Sequence, residues 1–445
     1  MKKNRNLRKT ISVLCLMLML AWTAAGCENI AGFTSQIGNT GGTDNSSEVV
    51  ESPEQEPVQS GSDDQTSEQD ASAAQTTQGS GDATGGAADG AAADPAGTAA
   101  DTTPENTAAA DTAKDAAEDV APDAEEISIT DIDGISIGQM ENAEAGTGCT
   151  VLISKDGMAA GLDVRGGGPA SRESELLDPL AAASSIHAIV LSGGSAYGLG
   201  TADGVMKYLE EKNIGYDTGV AKVPLVAQAD LFDLSVGDGK IRPDASMGYE
   251  AAKIAMETPN YKDGNFGAGC GATVGKIAGM ETCMKAGIGS YAIRIGDLKI
   301  GAVVAVNALG DVYDWKTGKK IAGLLTEDGK GFRDTLEYMA MDTAVKDNKF
   351  TGNTTLGVVM TNASFNKSQL CKIAGMTHDG FARSIRPVHT SADGDSIYAV
   401  SVGTVEADQD LVGSLSAVVM SEAIKRAVYS AESAYGFKAA KDLKH

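Results

Sequence analysis

Histidine, basic charge and metal-ligand spacings are what this chain is short of. Its 445 residues hold four histidines. His187, His378 and His389 stand in no HExxH pattern, and Cys149, Cys270, Cys283 and Cys371 form no CxxC pair, so the sequence calls for no metal and no cofactor. Lys and Arg number 36 against 61 Asp and Glu, a net charge of −25, which argues against nucleic acid or an anionic surface as a partner. The imbalance is local. From Gly41 to Glu126 there is no aromatic residue and a single lysine, Lys114, against 21 acidic residues, so −20 of the −25 lies there. Such a stretch cannot bury enough apolar surface to offset chain entropy, and it reads as a disordered, extended tether.

The apolar run Ile11 to Trp22 is too short to span a bilayer, and it follows Lys2, Lys3, Arg5, Arg8 and Lys9. That order predicts a signal peptide over residues 1–26, and hence export. Ala24-Ala25-Gly26-Cys27 resembles the bacterial lipobox, with Ala24 where leucine is more usual. The resemblance implies that Cys27 becomes a lipidated N-terminus anchoring the protein outside the cytoplasm, at the bacterial cell membrane, with residues 27–126 as its tether. A plain secretory signal containing an incidental cysteine is the competing reading. In an exported domain the four later cysteines allow two disulfides in any of three pairings, among which spacing cannot choose.

Residues 127–445 are glycine-rich and regularly patterned, enough for one large α/β domain. Its organising stretch is Gly352-Asn353-Thr354-Thr355-Leu356-Gly357-Val358-Val359-Met360, a turn signal running into an apolar strand that opens on a hydroxyl. A threonine becomes a competent nucleophile when its own α-amine takes the proton, which for Thr354 requires cutting the Asn353–Thr354 bond. The competing reading is an ordinary strand start.

Other segments supply possible partners. Thr150–Ser154 and Gly161–Arg165 read as two strands, leading into the glycine loop before Pro169. Ile186–Ser192 reads as a strand, and Gly193-Gly194-Ser195 then opens a helix to about Glu211. Strand, glycine turn and serine resemble a nucleophile elbow, but Tyr197 is too large for its position, and no histidine but His445 follows Asp393 and Asp395. Ser195 is therefore read as a helix cap. Gly269–Ile277 misses the phosphate-loop spacing at Cys270 and Ile277, leaving Lys276 as a cation beside a short strand or as a solvated lysine. Tyr291–Ile295 and Leu298–Val306 predict a hairpin ending on Asn307, either a turn starter or a neutral donor suited to an oxyanion hole. Ser364 to about Arg386 carries a helical pattern. His389 to Asp395 brings two carboxylates around Gly394, either a turn or an acidic pair facing Thr354. Leu411 to about Tyr435 predicts an amphipathic core helix.

Together DVRGGGP at 163, LSGGSAYGL at 191, GATVGK at 271, VVAVNALGDV at 303, GNTTLGVVMTN at 352 and RPVHTSADGD at 386 resemble the DmpA-type self-cleaving aminopeptidases, a family that includes β-peptidyl aminopeptidases and nylon-oligomer hydrolases. The resemblance covers essentially all of Ile127 to Lys438. It implies a four-layer αββα sandwich, made as a precursor that cuts itself into 127–353 and 354–445 and assembles as a tetramer of such pairs. It implies Thr354 as nucleophile, Asn307 as oxyanion donor, Lys276 as a partner of the nucleophile, and Asp393 with Asp395 as the acidic pair. Substrate contacts fall to Phe232, where relatives can place a tyrosine, and to Gly194 and Ser195. Thr354 and Asp393 look like the nylon-oligomer type, since some aminopeptidase members have serine at both places. The implied reaction releases N-terminal amino acids from short peptides, amides or esters. A relative of the ornithine acetyltransferases and a non-catalytic binding lipoprotein are the alternatives.

Overall fold

In a computed structural model of the chain, residues 123–341 and 352–443 are described; the signal peptide, Cys27 and nearly all of the tether lie outside them. Strand β2 (Thr147–Val164) joins two sheets. Its first half lies between β1 (Ser136–Asn142) and β3 (Ile186–Ser192), and β3 pairs in parallel with β4 (Val226–Asp230). Its second half pairs with β8 (Ser396–Val405) at the edge of the other sheet, whose order continues through β7 (Thr354–Ala363), β6 (Leu298–Asn307) and β5 (Ile288–Ile295). The two strands expected at 150–154 and 161–165 are thus one. Gly157, at φ +85, lets the chain continue through a shift of register between Ile153 and Met158 where Lys155-Asp156-Gly157 reads as a turn.

Alternation along the strands sorts the layers. Ala302, Val304 and Val306 of β6 pack in a cluster with Leu370, Ile373 and Phe381 of α3 (Lys367–Ser384) and Val419, Met420 and Ala423 of α4 (Gln409–Tyr429). Val303 and Ala305 point the other way, into a core with Leu356 and Val358 of β7 and Leu152, Ile189 and Ala227 of the second sheet. Val151, Ile153 and Val190 complete the stack against α1 (Thr201–Glu211) and α2 (Ala245–Glu257). Helix, sheet, sheet, helix is the αββα order, and strands buried on both faces explain why their sequences run apolar without alternation. At roughly 1.5–3 kcal/mol per fully buried aliphatic side chain, the three clusters dominate stability.

The helices sit close because glycines let them. A Cβ on Gly138 would lie 2.2 Å from the Ala251 carbonyl oxygen, and one on Gly289 would lie 2.3 Å from that of Ala423. α3 opens with a capping box between Asn366 and Gln369. α4 is buried around most of its circumference, from Val412 to Val428 and including Glu422, because it lies across a sheet with α3 alongside; the expected amphipathic pattern is correspondingly weak. Cys149, Cys270, Cys283 and Cys371 are free thiols. Among the described residues no helix is long and apolar enough to cross a membrane.

Candidate active site

β6 ends on Asn307 and β7 begins on Thr354, and the two residues are direct antiparallel partners. Ladder pairing therefore brings together side chains 47 positions apart in sequence. One residue upstream, Asn353 makes a parallel bridge with Asp393, so that segment 392–394 runs beside the uncut bond. The Gly394 amide donates to the Asn353 carbonyl oxygen at 3.0 Å. The Thr354 hydroxyl donates to that same oxygen. A Cβ at 394 would stand 2.6 Å from Thr354 Oγ1, so glycine is what leaves the hydroxyl its place. Thr354 is only 4% exposed.

Lys276 is buried rather than solvated. Its Nζ donates to Asn307 Oδ1 at 2.7 Å, to the Asn307 carbonyl at 3.0 Å and to the Gly352 carbonyl at 2.8 Å, three acceptors for the three protons of an ammonium. Burial pulls its pKa down to about 7, against the opposing pull of Cys283, Asp393 and Asp233. Asn307 is fully buried and its orientation is fixed: Oδ1 also accepts from the Thr273 amide at 3.0 Å, which turns Nδ2 toward the Phe232 carbonyl at 2.8 Å and the Gly352 carbonyl at 3.5 Å. This amide faces Gly352, one residue upstream of the Asn353 carbonyl, and Gly394 supplies the donor on that carbonyl.

Both carboxylates are buried, and they brace backbone. Asp393 Oδ1 accepts from the Leu309 amide at 3.3 Å, and Oδ2 from the amide (3.1 Å) and hydroxyl of Thr390. Burial, reinforced by the neighbouring Asp395, pushes the Asp393 carboxyl up to about 6. Asp395 Oδ1 accepts from the Thr355 amide at 2.8 Å, next to Thr354, while Oδ2 accepts from the amide and ring Nδ1 of His389 at 3.0 and 2.9 Å. The pair thus holds the loop after Asn307 and the residue after Thr354.

Phe232 lines a small pocket with Ser235, Val236, Thr273, Lys276, Met280 and Gly352. The other two expected substrate contacts lie further out. Gly194 N–H donates to Asp233 Oδ1 at 2.7 Å and Ser195 N–H to the Leu231 carbonyl at 2.9 Å, so both brace the segment that carries Phe232. Ser195 does not cap a helix: Gly194, at φ +86, occupies the cap position of a 3₁₀ turn over Ser195–Gly200, and no side-chain cap bond is made. Two participants escaped the sequence reading, Gly394 and Thr273. Gly394 stands inside the acidic motif but reads as turn punctuation, and Thr273 reaches Asn307 Oδ1 through both its amide and, at 3.4 Å, its hydroxyl. Among the described residues no group of His, Cys, Asp and Glu side chains is arranged to hold a metal ion.

Comparison with known proteins identifies the family. An uncharacterized aminopeptidase of Mycobacterium leprae is 40% identical over 291 residues, covering 63% of this chain and 80% of its own length. One from Mycobacterium tuberculosis is 36% identical over 295 residues, 62% of this chain and 82% of its own. The 6-aminohexanoate-oligomer endohydrolase of an Agromyces species is 31% identical over 278 residues, 62% of this chain and 75% of its own. The model of peptidase family S58 matches residues 128–441, a span that contains Lys276, Asn307, Thr354 and both aspartates, and this chain belongs to that family.

Proposed function

We propose that Thr354 first cuts its own chain at Asn353–Thr354 and then serves as the N-terminal nucleophile of an aminopeptidase and amidohydrolase. The carrying observation is one oxygen with two donors, the Asn353 carbonyl between the Thr354 hydroxyl and the Gly394 amide. In the first step Thr354 Oγ1 bonds to the Asn353 carbonyl carbon. The C–N bond to Thr354 breaks, and the hydroxyl proton ends on the departing nitrogen. Gly394 N–H holds the developing oxyanion, a kind of contact whose loss costs about 3 kcal/mol of barrier. Water then hydrolyses the ester, leaving Asn353 as a carboxylate and Thr354 with a free amine of pKa about 8, near enough to neutrality to act as general base.

Departure of Gly352 and Asn353 frees Lys276 Nζ and Asn307 Nδ2 from the Gly352 carbonyl and opens the pocket beside Phe232 to an acyl group. Thr354 attacks the amide of that group, the amine leaves, and water releases the acid. Relatives named as aminopeptidases and oligomer endohydrolases support a short peptide or amino-acid amide as substrate. The test is the intact mass of wild type beside Thr354→Ala, with release of p-nitroaniline from aminoacyl anilides. The expectation is two fragments and activity for the first, one chain and none for the second. A full-length, active wild type would refute it.

The same reading includes export, a lipid on Cys27, and assembly into a tetramer of cut pairs. Support comes from the basic and apolar N-terminal pattern, the lipobox-like run and the family resemblance. Palmitate labelling of wild type but not Cys27→Ala, and a light-scattering mass near four chains, are the expected results.

A further inference from the structure

We infer that His389 is a positioning residue for Thr354, holding Asp395 so that Asp395 holds the amide next to the nucleophile. The inference rests on Thr354 being the nucleophile. Asp395 is 1% exposed and takes three N–H donors, from Thr355, from the His389 backbone and from the His389 ring. Two of the three belong to one residue. The His389 backbone amide donates to Oδ2, and a proton on ring Nδ1 lets the ring donate to that same oxygen. Nε2 is buried without a partner, which leaves Asp395 as the ring's sole hydrogen-bonding task among the described residues.

The surroundings hold the ring in that task. His378 packs against it edge-on with centroids 4.7 Å apart, and Phe381 stacks at 6.1 Å, both from α3. The backbone also contributes. His389 is at φ +58, a left-handed conformation that aims its amide and its Nδ1 at the same carboxylate oxygen. Most side chains occupy that conformation at a cost; glycine does not, and asparagine tolerates it best of the others. Thr355 is bonded directly to Thr354, so freeing the carboxylate loosens the hydroxyl relative to the carbonyl it attacks. Misplacement on the scale of 1 Å is worth about 10²-fold in rate.

This chain of contacts separates the ring donor from the backbone shape. His389→Asn keeps the left-handed backbone and puts an amide N–H where Nδ1 stood. His389→Gly keeps the backbone and removes the donor. His389→Gln carries a donor one bond too far, and provides a second reading if the glycine variant does not fold. Self-cleavage half-life by intact mass, and kcat and KM on an aminoacyl anilide, are measured for each. The expected result is that H389N stays within about 5-fold of wild type, while H389G and H389Q lose about 30- to 100-fold in cleavage rate and kcat with KM nearly unchanged. Equal rates for H389N and H389G, or a wild-type H389Q, would overturn the inference. Thr354→Ala run in parallel keeps the two readings apart: an active, cut T354A condemns the nucleophile, whereas a dead T354A beside an unimpaired H389G condemns only His389.

Discussion

Two places in the chain set a hydroxyl beside a glycine turn at the end of an apolar strand, Gly193-Gly194-Ser195 after β3 and Gly352-Asn353-Thr354 before β7. Locally they are alike. Ser195 is half-buried, at φ +54, and the carboxylate closest to its turn, Asp233, is already occupied by the Gly194 amide and the Thr147 hydroxyl. Thr354 lies against its own upstream carbonyl, and Lys276, Asn307, Gly394 and Asp395 converge on its immediate neighbours from three separate segments. On the proposed reading, reactivity comes from what distant strands bring to a turn.

The contrast is sharpest for the hydroxyls themselves. Thr354→Ala should abolish fragmentation and lower hydrolysis by on the order of 10⁴-fold or more, while Ser195→Ala stays within about 2-fold, by intact mass and anilide turnover. Next come two buried lysines. Lys276→Met should slow self-cleavage by roughly 10²- to 10³-fold, since it removes the donor to Gly352 and to Asn307. Lys285 is as buried and as strongly pulled down, to about 7, yet its Nζ serves the carbonyls of Gly269, Ala272 and Ala286. Lys285→Met should lower the melting temperature and leave the cutting rate of folded protein within about 5-fold, because the carbonyls it leaves behind are a stability loss. The glycines follow. Gly394→Ala should slow cutting by about 10- to 100-fold through the 2.6 Å clash with Thr354 Oγ1, whereas Gly194→Ala should cost about 1 kcal/mol of stability for its positive φ with cutting kept.

The smallest expected effect is on pH. Asp393, raised from 3.8 to about 6, binds its proton more tightly in the folded chain than in the unfolded one. Its contribution to stability is therefore full below about 4 and is lost as pH rises through 6. Self-cleavage should run the other way, rising through pH 6 as the carboxylate forms to accept the Leu309 and Thr390 amides. Asp393→Asn should flatten both profiles, by thermal melts and cutting rates from pH 4 to 8.

Much of the scaffold was legible because its strands are buried on both faces. The runs at Ile186–Ser192, Leu298–Asn307 and Thr354–Ala363 are nearly continuous in apolar residues, and the Gly296-Asp297 turn fixes the register of Ile295 on Leu298. β2 was not, since Ser154-Lys155-Asp156-Gly157 has turn chemistry inside a strand. The members of the site could be named from separated motifs, but the motifs did not say how they touch. Nothing local told that Lys276 would be buried, in a pocket it shares with Phe232 and Met280, or that the amide of Gly394 would matter more than its flexibility. The free thiols were equally hidden, because pairing depends on distances between segments that spacing does not encode.

The place of the proposed cut within the larger sheet has a lasting effect on the molecule. β7 and β8 both lie downstream of residue 353, yet they sit between β6 and β2, which lie upstream. Severing the chain thus yields two polypeptides knitted into a single body, neither of which can leave without unzipping a ladder on each side. Denaturing the cut form turns a folding problem of one chain into an encounter between two, and its recovery becomes dependent on concentration, which the uncut T354A chain escapes.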